Sequence, residues 1–355
     1  MRALFYSLAY LIPAAAAVGV GLGGFWTWLT PFAFFVALPI LDEVVPKDTL
    51  NVEQTDEPDE LDNPIYDVLV RAWFPIQLSV IVFALHRVTS GSLDALEIVG
   101  ALVSVGITGG AGINVAHELM HRTNKLDKAL AEGITALVTY THFCVEHIYG
   151  HHKKVATPHD PATSRLGESV YGFIPRSVIG GFKSFWAIES NLVLKRKVTP
   201  LSWRDRRFRY LACIGLMYAI VAFIFGGLGL AFFILQGVIG FTMLEVVNYL
   251  EHYGLERDEV KPGRFRRVEP IHSWSSPHRL TGWILFGLPR HADHHSRASR
   301  HYPILRHFEE APQLPLGYSG MILVALVPPV WRAVMDHRVH ELKELERELN
   351  SLQTS

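Results

Sequence analysis

Cysteine is nearly absent from this chain. Its 355 residues include Cys144 and Cys213 alone, too few for a disulfide framework or for a four-cysteine iron or zinc centre built within the chain. No flavin or haem motif is present either, so the chain has no means of taking hydride from NADH. Neither sign of charge is in excess, with 33 Lys and Arg against 34 Asp and Glu and a formal net charge of -1, and no nucleic-acid partner is expected. Internal repeats and low-complexity tracts are missing as well.

What is abundant is apolar sequence: 49% of residues are hydrophobic and the mean hydropathy is positive, the profile of a membrane protein. A crossing of the hydrocarbon core needs roughly 20 mostly apolar residues. Six segments qualify, at about 3–22, 25–41, 70–86, 95–116, 210–226 and 228–247. The expected fold is all-α, an integral membrane protein with about six transmembrane helices and a histidine-rich cap. Arg2 precedes an apolar stretch with no small-residue cleavage site leading into a soluble domain, which reads as an uncleaved first helix.

Loop charge sets the expected orientation. The segment 145–209 carries Lys195, Arg196, Lys197, Arg204, Arg206, Arg207 and Arg209, whereas the short connections near Gly23, Gly91 and Gly227 carry almost no positive charge. Positive loops stay inside, so both termini and the ends of helices two, four and six are expected in the cytoplasm. The chain then divides into helices one to four at 1–116, with an acidic loop at 42–69; a cytoplasmic region at 117–209; helices five and six at 210–252; a second cytoplasmic region at 253–336; and a charged, Leu-spaced tail at 337–355. The acidic loop, with Glu53, Asp56, Glu57, Asp59, Glu60 and Asp62, reads as a solvated linker.

Half of the histidines are not scattered. Nine of the eighteen fall into four groups at the ends of apolar segments: His117 and His121; His147, His151 and His152; His252; and His291, His294 and His295. His117 and His121 share a helix face at i and i+4 and can hold one ion, with Asn114 on the same face. Alone, the string HELMH matches a zinc protease in which Glu118 would be the general base. The other groups weigh against that. Adjacent pairs at 151–152 and 294–295 each follow another histidine three or four residues upstream, and Gly150 frees the backbone to aim two neighbouring rings differently. A zinc site takes four ligands, so nine imidazoles point to two ions, without choosing among Zn, Cu, Fe and Ni. Glu118, Glu146, Glu251 and Asp293 stand beside or within the groups and can orient ligating rings through the other ring N–H; Asn248 lies on the face that ends in His252. Of the remaining histidines, His86, His159, His301, His307, His337 and His340 read as solvated. His142 and His278 can pack near the site, and His272 is a candidate for gating or for a supporting hydrogen bond.

These strings resemble a known family. HELMH at 117–121, EHIYGHHKKVATPHDPATSR at 146–165, LGESVYGF at 166–173, NYLEHYGL at 248–255, RHADHH at 290–295 and HYPILRHFEEAPQLPLGYSGMI at 301–322 are similar to the integral-membrane alkane 1-monooxygenases, within the membrane di-iron desaturase and hydroxylase superfamily. The resemblance implies a non-haem centre of two Fe ions ligated by the nine histidines, with O2 as co-substrate. One oxygen atom would enter a terminal methyl C–H bond of an n-alkane and the other would leave as water. It also implies rubredoxin as electron donor, itself reduced by an NADH-dependent rubredoxin reductase, and residence in the bacterial inner membrane. Met120 and Arg122 look equally like the xylene-type methyl hydroxylases. Pro289, Ala292 and Ser275 stand where the alkane family usually has Gln, Ser and Asn, which bears on hydrogen bonds around the ligands rather than on the ligands. A methyl group has no polar handle, so an apolar channel must position it, and Phe34 is the candidate gate on chain length. Basic clusters at 204–209 and at Arg264, Arg266 and Arg267 are candidate docking surfaces for an acidic carrier.

Overall fold

The computed structural model describes residues 2–354, and their side chains as far as Glu348. Apolar runs of this length form helices because lipid offers the backbone no hydrogen-bond partners, so every N–H and C=O must pair within its own segment. Four such runs follow one another as Arg2–Leu22, Gly24–Val44, Pro64–Thr89 and Ala95–His121. The last begins with a capping box, in which Asp94 accepts the Glu97 amide and Glu97 accepts the Asp94 amide.

The next apolar stretch, Arg206–His252, is 47 residues long, about twice what a bilayer needs. It folds back on itself at Gly226, whose φ of 67° and ψ of -168° belong to glycine and not to residues with a Cβ. As a result the rings of Tyr218 and Phe233 meet at 6.1 Å, whereas a straight helix would part them by about 22 Å. The two limbs supply the fifth and sixth crossings at the places where the sequence puts them. Large apolar side chains such as Leu216, Ile220, Phe223 and Ile224 point outward on the first limb, as a lipid-facing surface requires. Where the second limb meets the fourth span, Gly106 brings the backbones together: a Cβ there would lie 2.5 Å from Ile239 Cγ2.

The ends of the second, fourth and sixth spans converge at one end of the bundle and carry a cap. It contains the helix Lys125–Leu137, a helical segment at 143–154, the long helix Val170–Lys195 and the short helix His291–Ser296. A two-stranded hairpin, Glu259–Lys261 with Arg264–Phe265, is the sole sheet among the described residues.

Two expectations change. The acidic loop is a strap and not a free linker. Asp42 is buried and accepts the Thr281 amide at 3.0 Å, the Asp48 amide donates to Pro277 O at 2.7 Å, and Glu57 pairs with Arg306 at 2.7 Å. Those partners lie in sequence beyond the sixth span, too far for linear reading to connect; Glu53, Asp56, Asp59 and Asp62 stay exposed, as a solvated loop would have them. The tail is also more than a surface helix. It starts at Pro328, and its first turns bury Trp331, Met335 and Val339 at i, i+4 and i+8, with Trp331 against Tyr249 at 5.0 Å and Tyr253 at 5.1 Å.

Candidate metal centre

All nine histidines gather under the cap, in two sets. One holds His117, His121, His147, His152 and His294; the other holds His151, His252, His291 and His295; within each, one nitrogen per ring lies within 4.8 Å of the rest. Local helix geometry explains the division. His117 and His121, four residues apart at the end of the fourth span, project from one face. The segment His147–His151 is a π-turn, which aligns residues about five apart instead of four. His147 therefore faces His152, Nε2 to Nε2 at 3.0 Å, and His151 is turned into the other set. In His291–Ser296, His291 and His295 share a face while His294 swings to the first set. Each adjacent histidine pair thus sends one ring to each set, because neighbours on a helix diverge by about 100°.

Gly150 serves a different purpose from the one its position suggests. Its backbone keeps a negative φ, and a Cβ there would sit 2.2 Å from Glu146 Oε1. The glycine makes room for a carboxylate.

The donor set fits metal ions. His152 Nε2 lies 3.0 Å from His294 Nε2, and the pairs His151–His295 and His252–His291 have Nε2 atoms 3.3 Å apart. Nitrogens bound at 2.0–2.1 Å to one ion and separated by 90–110° stand about 2.9–3.4 Å apart. His117 Nε2 and His121 Nε2 are buried with no hydrogen-bond partner, an arrangement that costs free energy unless something accepts the lone pairs. Burial, then neighbouring rings, hold His147, His152, His291, His294 and His295 well below the usual histidine range. Their neutral form is the one that ligates a metal.

The surrounding carboxylates are not equivalent. Glu251 Oε1 is 3.2 Å from His291 Nδ1 and accepts the Tyr318 hydroxyl at 2.9 Å. Asp160, which sequence reading passed over, accepts from His151 Nδ1 at 2.9 Å. For His151, burial lowers the proton affinity and Asp160 more than restores it. The available signal was the acid in PHD, nine residues after His151. Glu146 is buried beside the second set, and burial raises its carboxyl above the usual range. Glu118 instead pairs with Arg122 at 3.0 Å and accepts the Tyr302 amide at 3.2 Å. These bonds turn the glutamate of the protease-like string outward. Asp293 accepts from Arg300 at 3.1 Å and from the Arg306 amide at 2.9 Å, which locks its helix in place. His272 accepts the Glu269 amide on Nδ1 and belongs to neither set. Ser275 Oγ accepts the Ala292 amide at 3.1 Å, so two of the departures from the alkane pattern touch each other. His278, expected near the site, bonds Glu43 at 2.9 Å on the strap side.

An apolar cavity runs from the histidines into the bundle. At its inner end are His117, His147 and His291; its walls include Ile107, Ala111 and Leu244; Asn114 and Asn248 contribute polar atoms, and Phe34 is also in contact with it. Phe34 equally lines a groove between the first two spans, with Leu11, Ile12 and Leu38. It is 6% exposed and sits in a π-turn, Ala33–Ala37.

A bundle of apolar helices ending in two buried sets of imidazoles defines a multi-pass membrane oxidoreductase of the desaturase and hydroxylase class, and the model of the fatty acid desaturase family matches residues 96–324. The chain belongs, more narrowly, to the alkane 1-monooxygenase family. It is 41% identical to alkane 1-monooxygenase 2 of Pseudomonas aeruginosa over 317 residues, covering 88% of this chain and 84% of that protein. Alkane 1-monooxygenase 2 of Alcanivorax borkumensis is 37% identical over 95% of this chain and 89% of its own length. The hydroxylase component of the xylene/toluene monooxygenase of Pseudomonas putida is 26% identical over 94% of this chain and 88% of its own length.

Proposed function

We propose that the chain is a di-iron alkane monooxygenase, which converts a medium or long n-alkane and O2 to a primary alcohol and water. The observation that carries this reading is the apolar cavity whose inner end is walled by histidines of both sets. The five-member set would hold one iron and the four-member set the other, and bound iron would supply O2 activation. The chain's own residues do the rest. Glu251 and Asp160 orient His291 and His151 through their Nδ1 atoms. The cavity wall aligns a methyl group by exclusion, since it offers few polar atoms with which to grip. Phe34, shared by cavity and groove, is the gate through which a chain from the membrane passes and the stop that limits its length. Relatives named for alkane hydroxylation at 35–41% identity support the substrate; the more distant xylene/toluene relative makes an aromatic methyl group the alternative.

Electrons come from rubredoxin, reduced by its NADH-dependent reductase. A depression rimmed by Lys128, Arg196 and Arg206 reaches His121 and is the docking surface this reading favours. In the cluster at 204–209, Arg206 is paired with Glu189, Arg207 with Asp205 and Arg209 with Glu132, so less free charge remains there than the sequence suggests. The basic loops put the cap in the cytoplasm of the inner membrane. Purified protein is given ferrous iron, rubredoxin, its reductase, NADH, labelled O2 and a mixture of alkanes and methyl aromatics. Labelled primary alcohols with two irons per chain support the proposal. Alkenes without label indicate a desaturase, benzylic alcohols an aromatic methyl hydroxylase, and zinc with no O2 uptake a protease or metal carrier.

A further inference from the structure

A second cavity adjoins the histidines on the side away from Phe34, and its lining is of another kind. Glu146, Glu245, Ser177 and Asn248 contribute to it, with His147 and His151 at its inner wall. Tyr140 donates to Glu245 Oε1 at 2.6 Å. The remaining oxygen of that carboxylate, Oε2, and Glu146 Oε1 are both buried without a protein partner, in residues that are 3% and 5% exposed. Buried carboxylate oxygens that accept nothing are costly. The cavity volume of about 20 Å³ exceeds the roughly 10–15 Å³ that one water requires, and a water needs two to four polar partners. Both conditions are met here and not in the apolar cavity.

Outward, this space ends at His142, whose ring lies 4.3 Å from Tyr140 and 5.6 Å from Phe182. Beyond it is a wide groove that includes Tyr140 and His142 together with Thr139, Thr141, Lys183 and Trp186. Inward, it shares Phe143, His147 and Asn248 with the apolar cavity. The histidines are thus reached from two sides, one apolar and one polar.

We propose that the polar cavity is a hydration site and the exit for water, kept apart from the route of the alkane. This rests on the monooxygenase reading, in which RH, O2, two electrons from a carrier protein and two protons give ROH and H2O. While a hydrocarbon fills the apolar cavity, water cannot leave that way without displacing it. The carboxylates of Glu146 and Glu245 hold water next to His147 and His151, and the Tyr140–His142 ring pair separates it from the outer groove.

Gly181 allows a clean test. It lines the polar cavity, and a Cβ added there meets nothing within 4 Å. It also stands in the helix Val170–Lys195, where a leucine raises helix propensity. Gly181→Leu therefore fills the cavity without straining the fold, and Gly181→Ala fills it in part. In high-resolution structures of the zinc-loaded full chain, wild type should show water between Glu146 and Glu245, and Gly181→Leu should not. In turnover, Gly181→Leu should lose kcat on the order of tenfold, 1.36 kcal/mol on the barrier, at unchanged KM for alkane and with more O2 consumed per alcohol; Gly181→Ala should fall between. An empty cavity in wild type overturns the hydration site, whether or not the protein hydroxylates alkanes. Unchanged kcat and coupling overturn the exit role. A raised KM with an altered chain-length profile assigns the space to the substrate instead.

Discussion

Asp160→Asn removes one charge and almost no volume from the centre, and the structure says what should follow. Asp160 receives three donors: His151 Nδ1 at 2.9 Å, Thr163 Oγ1 at 2.6 Å and the Ala162 amide at 3.2 Å. Thr163 Oγ1 itself accepts the Ala156 amide at 2.9 Å, so its own hydrogen is committed to Asp160. An asparagine has a single acceptor oxygen. With that oxygen toward His151 and Thr163, its NH2 group opposes the Ala162 N–H; flipped, the NH2 opposes His151. The first arrangement strands a buried donor, at about 1–3 kcal/mol of stability. The second drives the proton of His151 onto Nε2, the atom that faces His295 Nε2 at 3.3 Å and must be bare to bind metal. Loss of such an outer partner lowers metal affinity about 10–100-fold, or about 1.4–2.7 kcal/mol. The assay is anaerobic competition for ferrous iron against a chelator, with melting temperature followed in parallel. Thr163→Val, which leaves the His151 contact in place, should lower stability with a smaller effect on affinity. If Asp160→Asn retains both ions with affinity within about threefold of wild type, while melting normally, the role given to this carboxylate is wrong.

Other perturbations have equally direct readouts. Phe34→Ala opens the boundary between cavity and groove and should move the preferred alkane to longer chains; an unchanged product distribution across chain lengths would discard the gate. Tyr318→Phe leaves Glu251, 1% exposed, without the hydroxyl it accepts. The expected loss is about 1–3 kcal/mol in denaturant unfolding, and a melting curve superimposable on wild type would argue against that hydrogen bond. Charge reversal at Lys128 together with Arg196 should raise the KM for rubredoxin and flatten the salt dependence of turnover; an effect confined to alkane KM would place docking elsewhere. Gly106→Ala presses a methyl into Ile239 and should destabilise by about 1–3 kcal/mol, measured as unfolding in detergent.

Much of this architecture is written locally and is therefore legible. Long apolar runs give the spans, Gly226 lies where the loop between the last two is expected, and the nine clustered histidines are the nine that meet. The division into five and four was not legible, because HIYGH carries no composition that distinguishes a π-turn from an α-turn. Sequence proximity also misled. Glu118 and Asp293 adjoin ligand candidates in the chain, yet a helix points neighbours apart, and both carboxylates are claimed by arginines. Asp160 and Tyr318 were missed for the converse reason, since folding brings them to His151 and Glu251 from distant segments. The strap escaped notice because acidic residues facing solvent and acidic residues facing Arg306 or Thr281 look the same until the cap closes over them.

Phe34 faces the lipid-side groove and the inner cavity at once, and this has a consequence for how selectivity is measured. A substrate that arrives through the groove is drawn from the bilayer, so the concentration that governs turnover is its mole fraction in lipid. Each added methylene favours transfer from water by about 0.8 kcal/mol, close to a fourfold rise in partitioning per carbon. An apparent affinity referred to bulk water would then improve steadily with chain length even if the protein had no preference. Only rates plotted against membrane composition separate what Phe34 discriminates from what the bilayer has already concentrated.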